Sequence, residues 1–311
     1  MPSTLILPTP LVVALSDPPE EHVRAALDLR LRSLTEHEPG TRSGADIEDL
    51  HQMRVAVRRM RAALKAAGPV LDTEWADGLR AELGWLGGAL GPVRDLDVML
   101  ERLRAEIAEL PRLERTAGKK LIASLNRERE QARAVLLAAL DDPRYAALLE
   151  RLTEAVTHPL PLGPAQARPS LVALVQTQAR ALRKAVVRAG AEPADEVLHD
   201  LRIRGKRLRY TGELVSPGLR GTRAGEVVRR LLGATARLQE VLGDHQDACV
   251  AELRLRGLVA ELGDAPDPKI VFVAGRLVER EHRKARGMRN RWRAAWRRVA
   301  TQVEHLERTD G

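Results

Sequence analysis

The chain is expected to be all-α, on three observations. No segment sustains the period-two alternation of a half-buried strand. Apolar residues make up 44% of the sequence but aromatic ones only 2%. The core must therefore be Leu, Val and Ala, which suits helices better than β-branched and aromatic strands. The third observation is a cationic amphipathic helix that occurs twice. With 311 residues the chain can form one large or two ordinary domains, and the duplication favours two similar halves.

In chain order, residues 1–16 are Pro-rich and read as a flexible leader. The first helix starts near Asp17, where DPPEE supplies a cap, first-turn prolines and early acids; it is expected to end at Pro39-Gly40. TRSGADIED is a loop. The next helix carries HQMRVAVRRMRAALK (51–65) and should stop at Gly68-Pro69. A third helix covers about 73–87, and Gly91-Pro92 is expected to kink or interrupt the helix of residues 89–110. Residues 118–140 read as one helix, stopped by DDP at 141–143. RYAALLERLTEAV closes a first half, 17–157. HPLPLGPAQARP, 158–169, is the linker. In the second half, 170–305, a helix ends at a glycine (190), a second basic helix comes next, 223–262 reads as a helical pair, and one last helix spans about 270–306.

The helix from His51 organises the rest. At about 100° per residue, His51, Arg54, Arg58, Arg61 and Lys65 share an arc of roughly 80°, while Met53, Met60, Ala63, Leu64 and Ala67 gather opposite. From His51 to Lys65 there is no acid. A solvated helix face usually mixes opposite charges at i,i+4, because like charges repel; a bound polyanion would relieve that repulsion. HDLRIRGKRLRY repeats the frame. His51, Arg54, Arg58, Arg59 and Arg61 correspond to His199, Arg202, Lys206, Arg207 and Arg209, each 148 residues on. A second pairing aligns ALGPVRDLDV (89–98) with VLGDHQDACV (241–250).

The net charge of +8 points to an anionic partner: nucleic acid, a membrane surface or a phosphate-rich polymer. Of the 51 basic residues seven are lysine and 44 arginine; a GC-rich genome raises Arg and Ala together, so the ratio decides little. The one cysteine, Cys249, excludes an intrachain disulfide and a cysteine-clustered zinc site. The N-terminus makes a poor signal peptide, and no run of about 18 apolar residues exists to span a membrane. A cytoplasmic location is expected from those missing signals.

The two His-x-x-Arg-x-x-x-[Arg/Lys]-Arg-x-Arg motifs, with LGPVRDLDV (90–98) and LQEVLGDHQDA (238–248), resemble the CHAD family, the conserved histidine α-helical domain, over about residues 15–305. The resemblance implies two four-helix bundles related by a pseudo-two-fold axis, with a basic groove or channel between them. It also implies non-catalytic binding of inorganic polyphosphate; association with polyphosphate granules, storage and scaffolding would all leave the same traces in the sequence. Carried residue by residue, the anion-facing positions are His51, Arg54, Arg58 and Arg61, extended by Lys65, and His199, Arg202, Lys206 and Arg209. Arg59 and Arg207 match the motif but sit about 100° from their neighbours, so they flank the groove or pair with acids. Two departures stand out. Lys65 corresponds to Glu213, and Arg94 to Gln246, so the halves are not equivalent.

Arg offers a bidentate fork for phosphate. The histidines lie near helix N-termini, which favour anions, and either bind phosphate or serve as structural caps. Asp95 and Asp247 are read as orienting an Arg of the basic helix through a buried salt bridge. Asp244, His245 and Asp247 are read as helix or loop surface, with no metal and no cofactor expected. Two alternatives remain. For nucleic-acid backbone binding, the scarcity of aromatics argues against single-strand binding by base stacking, while binding to a double-stranded backbone stays open. Phosphoanhydride chemistry lacks both a phosphate-cradling Gly-Lys-Ser/Thr loop and clustered acids for Mg²⁺.

Overall fold

A computed structural model describes residues 7–14, 16–164 and 169–308. Eleven α-helices account for most of them: α1 Pro19–Ser43, α2 Ile47–Ala66, α3 Thr73–Ala108, α4 Arg112–Leu121, α5 Ala123–Asp141, α6 Pro143–Thr157, α7 Leu171–Ala189, α8 Asp195–Val215, α9 Arg223–Ala260, α10 Pro268–Arg289 and α11 Trp292–Glu307. Among the described residues no strand forms. A single antiparallel bridge pairs Leu71 with Leu162 and ties the start of the linker to the first half; linker residues 165–168 lie outside the described residues.

Helical spacing of apolar residues builds the core. On α2, Met53, Met60, Ala63 and Leu64, with Ala67 just beyond its end, are all buried, the face opposite the basic stripe. Asp46 caps that helix by accepting from Glu48 N at 2.8 Å. The first core collects α1, α2, α3 and α6 with the end of α5. The second collects α7, α8, α9 and α11. In both, a helix packs on the basic helix, which packs on the long helix: α1 on α2 on α3, and α7 on α8 on α9.

A third core joins the two halves. The far ends of α3 and α9 converge with α4, the start of α5 and α10, burying Leu100, Leu103, Ile107, Leu255, Leu258 and Leu277 together. Ion pairs surround it. Arg102 grips Glu281 through two contacts, Nε at 2.9 Å. Arg276 meets Glu114 at 2.5 Å, Arg280 and Lys284 meet Glu106, and Arg254 meets Glu128. Glu281 and Glu106 are buried, so these charges are compensated where they would otherwise be costly.

Several boundaries depart from the sequence reading. Helix α1 runs through Pro39 and ends at Gly44, whose φ of +71° suits glycine. Arg133 holds its last carbonyls, donating to Thr41 O at 3.1 Å and Arg42 O at 2.6 Å. Helix α3 continues through Pro92; Leu86, Leu90 and Val93 are fully buried on either side, and their packing outweighs the lost backbone bond. Residues 118–140 break at Ile122, whose φ is −91° and ψ 5°, letting α4 pack on α10 while α5 returns along α3. Conversely 223–262 forms one helix of 38 residues, and the last helix divides at Asn290–Arg291. The leader is not detached over residues 7–14. Leu11 N donates to Asp28 at 3.0 Å, Arg32 reaches Pro8 O, and Leu7 and Leu11 pack on the first core. Residues 1–6 and 15 lie outside the described residues.

A core shared by both halves should make unfolding cooperative. Leu277→Ala is expected to cost about 2–5 kcal/mol in one coincident urea transition. Two separated transitions in the wild type would show that the halves fold independently.

Candidate functional site

The basic faces of α2 and α8 meet. A cleft between α2, α3, α8 and α9 is lined by His51, Arg54 and Arg58 from the first motif and by His199, Arg202 and Lys206 from the second. The two long helices add Arg94, Asp95, Arg102, Gln246 and Asp247, over apolar Val55, Val98, Met99 and Val250. The lining thus holds six Arg or Lys against two carboxylates, and one of the six, Arg102, is already held by Glu281 from outside the cleft.

Those carboxylates stand at matched positions. Arg54 bonds Asp95 at 2.5 Å, and Arg202 lies 4.0 Å from Asp247. The pairing fits the expected orienting role, but the burial does not. The Asp95 side chain is 69% exposed and that of Asp247 48%, because both lie on the open rim of the cleft. Such pairs steer a guanidinium at little gain in stability.

Deeper in, the cations are poorly compensated. Burial disfavours the charge on Arg58, and so do Arg54, Arg59 and Arg202; the Tyr210 ring, 5.8 Å away, offsets part of this. Lys206 is pushed down to about 8 by burial and then by Arg202, Arg58 and Arg54. The buried Nε atoms of Arg58 and Arg202 have no hydrogen-bond acceptor. A buried donor without a partner is costly, and an anion in the cleft supplies one.

The two histidines differ. His51 is held below its usual pKa by burial and then by Arg94 beside it. His199 instead bonds Gln246 Oε1 through Nδ1 at 2.8 Å. The Arg94-to-Gln246 change is therefore felt directly at the paired histidine.

The remaining motif residues leave the cleft. Arg61 lies over Gly84 and Gly87 of α3. Lys65 is exposed, with its pKa lowered first by the charge of Arg207 and then by burial. Arg61, Lys65 and Arg207 thus extend a cationic surface beyond the cleft rather than line it. Arg209 is spent on Glu213 at 2.8 Å and Gln239 at 3.4 Å. Arg59 faces another pocket, walled by the leader, Tyr210 and Glu213, and meets Glu213 at 3.5 Å across the α2–α8 contact. Glu213 stands where Lys65 stands in the first half, so it both shortens the second stripe and links the halves. Arg94 and Arg102 were not among the motif positions. The signal for Arg102 was available: Asp95, Val98, Met99 and Arg102 follow i, i+3, i+4, i+7 on α3, one helical face.

The sequence matches the CHAD domain family over residues 25–256. Two curated relatives, uncharacterized proteins from two strains of Mycobacterium tuberculosis, are each 28% identical across 91% of this chain. The chain spans about half the length of those relatives, 54%. Among solved structures, PptA from Streptomyces chartreusis superposes with a TM-score of 0.72 at 22% identity, covering 90% of this chain and 100% of that one. The CHAD domain from the plant Ricinus communis gives 0.68 at 26% identity, covering 93% and 95%. Both support the all-helical fold. Among the described residues no helix is long and apolar enough to cross a membrane.

The depressed Lys206 has a testable consequence. Between pH 8 and the ordinary lysine value near 10.5, the unfolded chain holds a proton that the folded one has released, so stability rises with pH across that window. The urea midpoint of the wild type should gain on that of Lys206→Met from pH 7 to pH 10. A constant difference would mean that Lys206 carries an unperturbed charge.

Proposed function

The chain belongs to the CHAD family, and on that premise we propose that its cleft binds inorganic polyphosphate without catalysis. The observation that carries this reading is the convergence of Arg54, Arg58, Arg202 and Lys206 from two helices onto one cleft with little compensating charge. Polyphosphate presents closely spaced negative oxygens along a flexible chain. Rigid rails of guanidinium groups match it, each able to give two charge-assisted hydrogen bonds. Entry of the polyanion relieves the mutual repulsion of the cations and satisfies the buried Nε donors of Arg58 and Arg202. Arg61, Lys65 and Arg207 offer a continuation for phosphates that leave the cleft.

The cleft lining contains no aromatic residue, which disfavours recognition of nucleic acid by base stacking. Its carboxylates, Asp95 and Asp247, are each engaged with an arginine and so are poorly placed to hold the Mg²⁺ of a phosphoryl-transfer enzyme. The proposed partner is cytoplasmic polyphosphate, free or in granules.

Long-chain polyphosphate is expected to outcompete duplex DNA and RNA of equal charge, with affinity falling steeply as salt rises. A competition titration at several salt concentrations decides this; preference for nucleic acid overturns the reading. Arg54→Glu combined with Arg202→Glu should weaken polyphosphate binding at least about 100-fold, since each charge-assisted contact contributes roughly 1.5–3 kcal/mol. Circular dichroism should show helicity retained, and unchanged affinity would place the site elsewhere. Release of inorganic phosphate from polyphosphate with Mg²⁺ would show an enzyme instead.

A further inference from the structure

A cluster of metal-ligating side chains lies behind one wall of the cleft, outside the proposed polyphosphate site. Asp195 opens α8. His245 and Cys249 are one turn apart on α9, so they share a face turned towards the start of α8. His245 Nε2 is 3.0 Å from Asp195 Oδ1 and 3.8 Å from Cys249 Sγ. Donor atoms of all three residues lie within 4.8 Å of one another. His245 is only 2% exposed. The sequence reading grouped His245 with Asp244 and Asp247 instead. The helix turns those two carboxylates away, and the third donor comes from 50 residues earlier.

Two chemistries could use such a trio. In a nucleophilic relay the acid and the nucleophile address opposite nitrogens of the imidazole. Here Asp195 and Cys249 both approach Nε2 most closely, so a relay is poorly served. A metal ion fits better. A tetrahedral zinc, with bonds of about 2.0–2.3 Å, keeps its donors roughly 3.3–3.8 Å apart; His245 lies 3.0 Å from Asp195 and 3.8 Å from Cys249, and all three donors fall within 4.8 Å, so small side-chain shifts complete the geometry. We propose that Asp195, His245 and Cys249 bind a zinc ion, with water in the fourth position. One thiolate, one imidazole and one carboxylate are donors that zinc accepts and that Mg²⁺ and Ca²⁺ do not favour together. On binding, the Cys249 thiol proton passes to solvent. Arg289 donates to the Asp195 carboxylate. The half-exposed Asp195 can turn Oδ2 to the ion while Oδ1 keeps Arg289 as an outer partner. The ion would staple the first turn of α8 to α9, one residue before Gln246, which holds His199.

Cobalt(II) titration of the full chain is the test. Cys249 is the only cysteine, so a thiolate-to-cobalt charge-transfer band in the near ultraviolet reports on this site alone. The expected result is one cobalt per chain with that band and tetrahedral visible bands, all displaced by zinc. Cys249→Ser should abolish the charge-transfer band while circular dichroism stays unchanged. Asp195→Asn should weaken binding at least about 10-fold. Zinc should raise the melting temperature of the wild type but not of Cys249→Ser. No cobalt bound, or cobalt bound without the sulfur band, overturns the proposal.

Discussion

Like charges forced together at the α2–α8 contact are the constraint on which the rest of the structure depends. Arg54, Arg58, Arg202 and Lys206 each perturb or are perturbed by the others. Without a bound anion they would drive the halves apart. The chain resists this at a distance from the cleft. The third core and the ion pairs around it, Arg102–Glu281, Arg276–Glu114 and Arg254–Glu128, hold the far ends of the long helices together. Arg59–Glu213 adds one opposite-charge contact beside the crossing itself. The repulsive cleft is tolerable because apolar burial and paired charges elsewhere fix its walls.

The two halves repeat a plan but not a chemistry. In the first, the stripe continues through Arg61 to Lys65. In the second, Glu213 takes Arg209 out of play. Beside His51 stands a guanidinium; beside His199, an amide that accepts from its ring. The first half therefore contributes more free positive charge, and the second more fixed geometry. Asp195, His245 and Cys249 belong to the second half alone. The position of Asp195 in the first half is Ile47, 148 residues earlier, so the cluster arose on only one copy of the repeat.

The apolar faces and both basic stripes were legible in the sequence because helical periodicity is a local property. Met53, Met60 and Leu64 went inward as their spacing required. What depended on tertiary contacts was not legible. Pro39 and Pro92 looked like breaks, yet packing and the capping by Arg133 carry α1 and α3 past them. The dense basic run from Arg276 to Arg298 carries no sign of its partners in the sequence. In the fold Arg276, Arg280 and Lys284 neutralise acids of α3 and α4, and Arg289 and Arg293 hold carbonyls that precede α8. No one-dimensional pattern separates an arginine that clamps a neighbour from one that awaits a ligand. Arg209 and Arg59 show this within the motif itself.

A crystal structure with a short-chain polyphosphate tests the central claim most directly. The account predicts phosphates lying in the cleft and touching both halves, Arg54 and Arg58 on one side, Arg202 and Lys206 on the other. Phosphates bound only to surface arginines of α9 and α11, with the cleft empty, would contradict it.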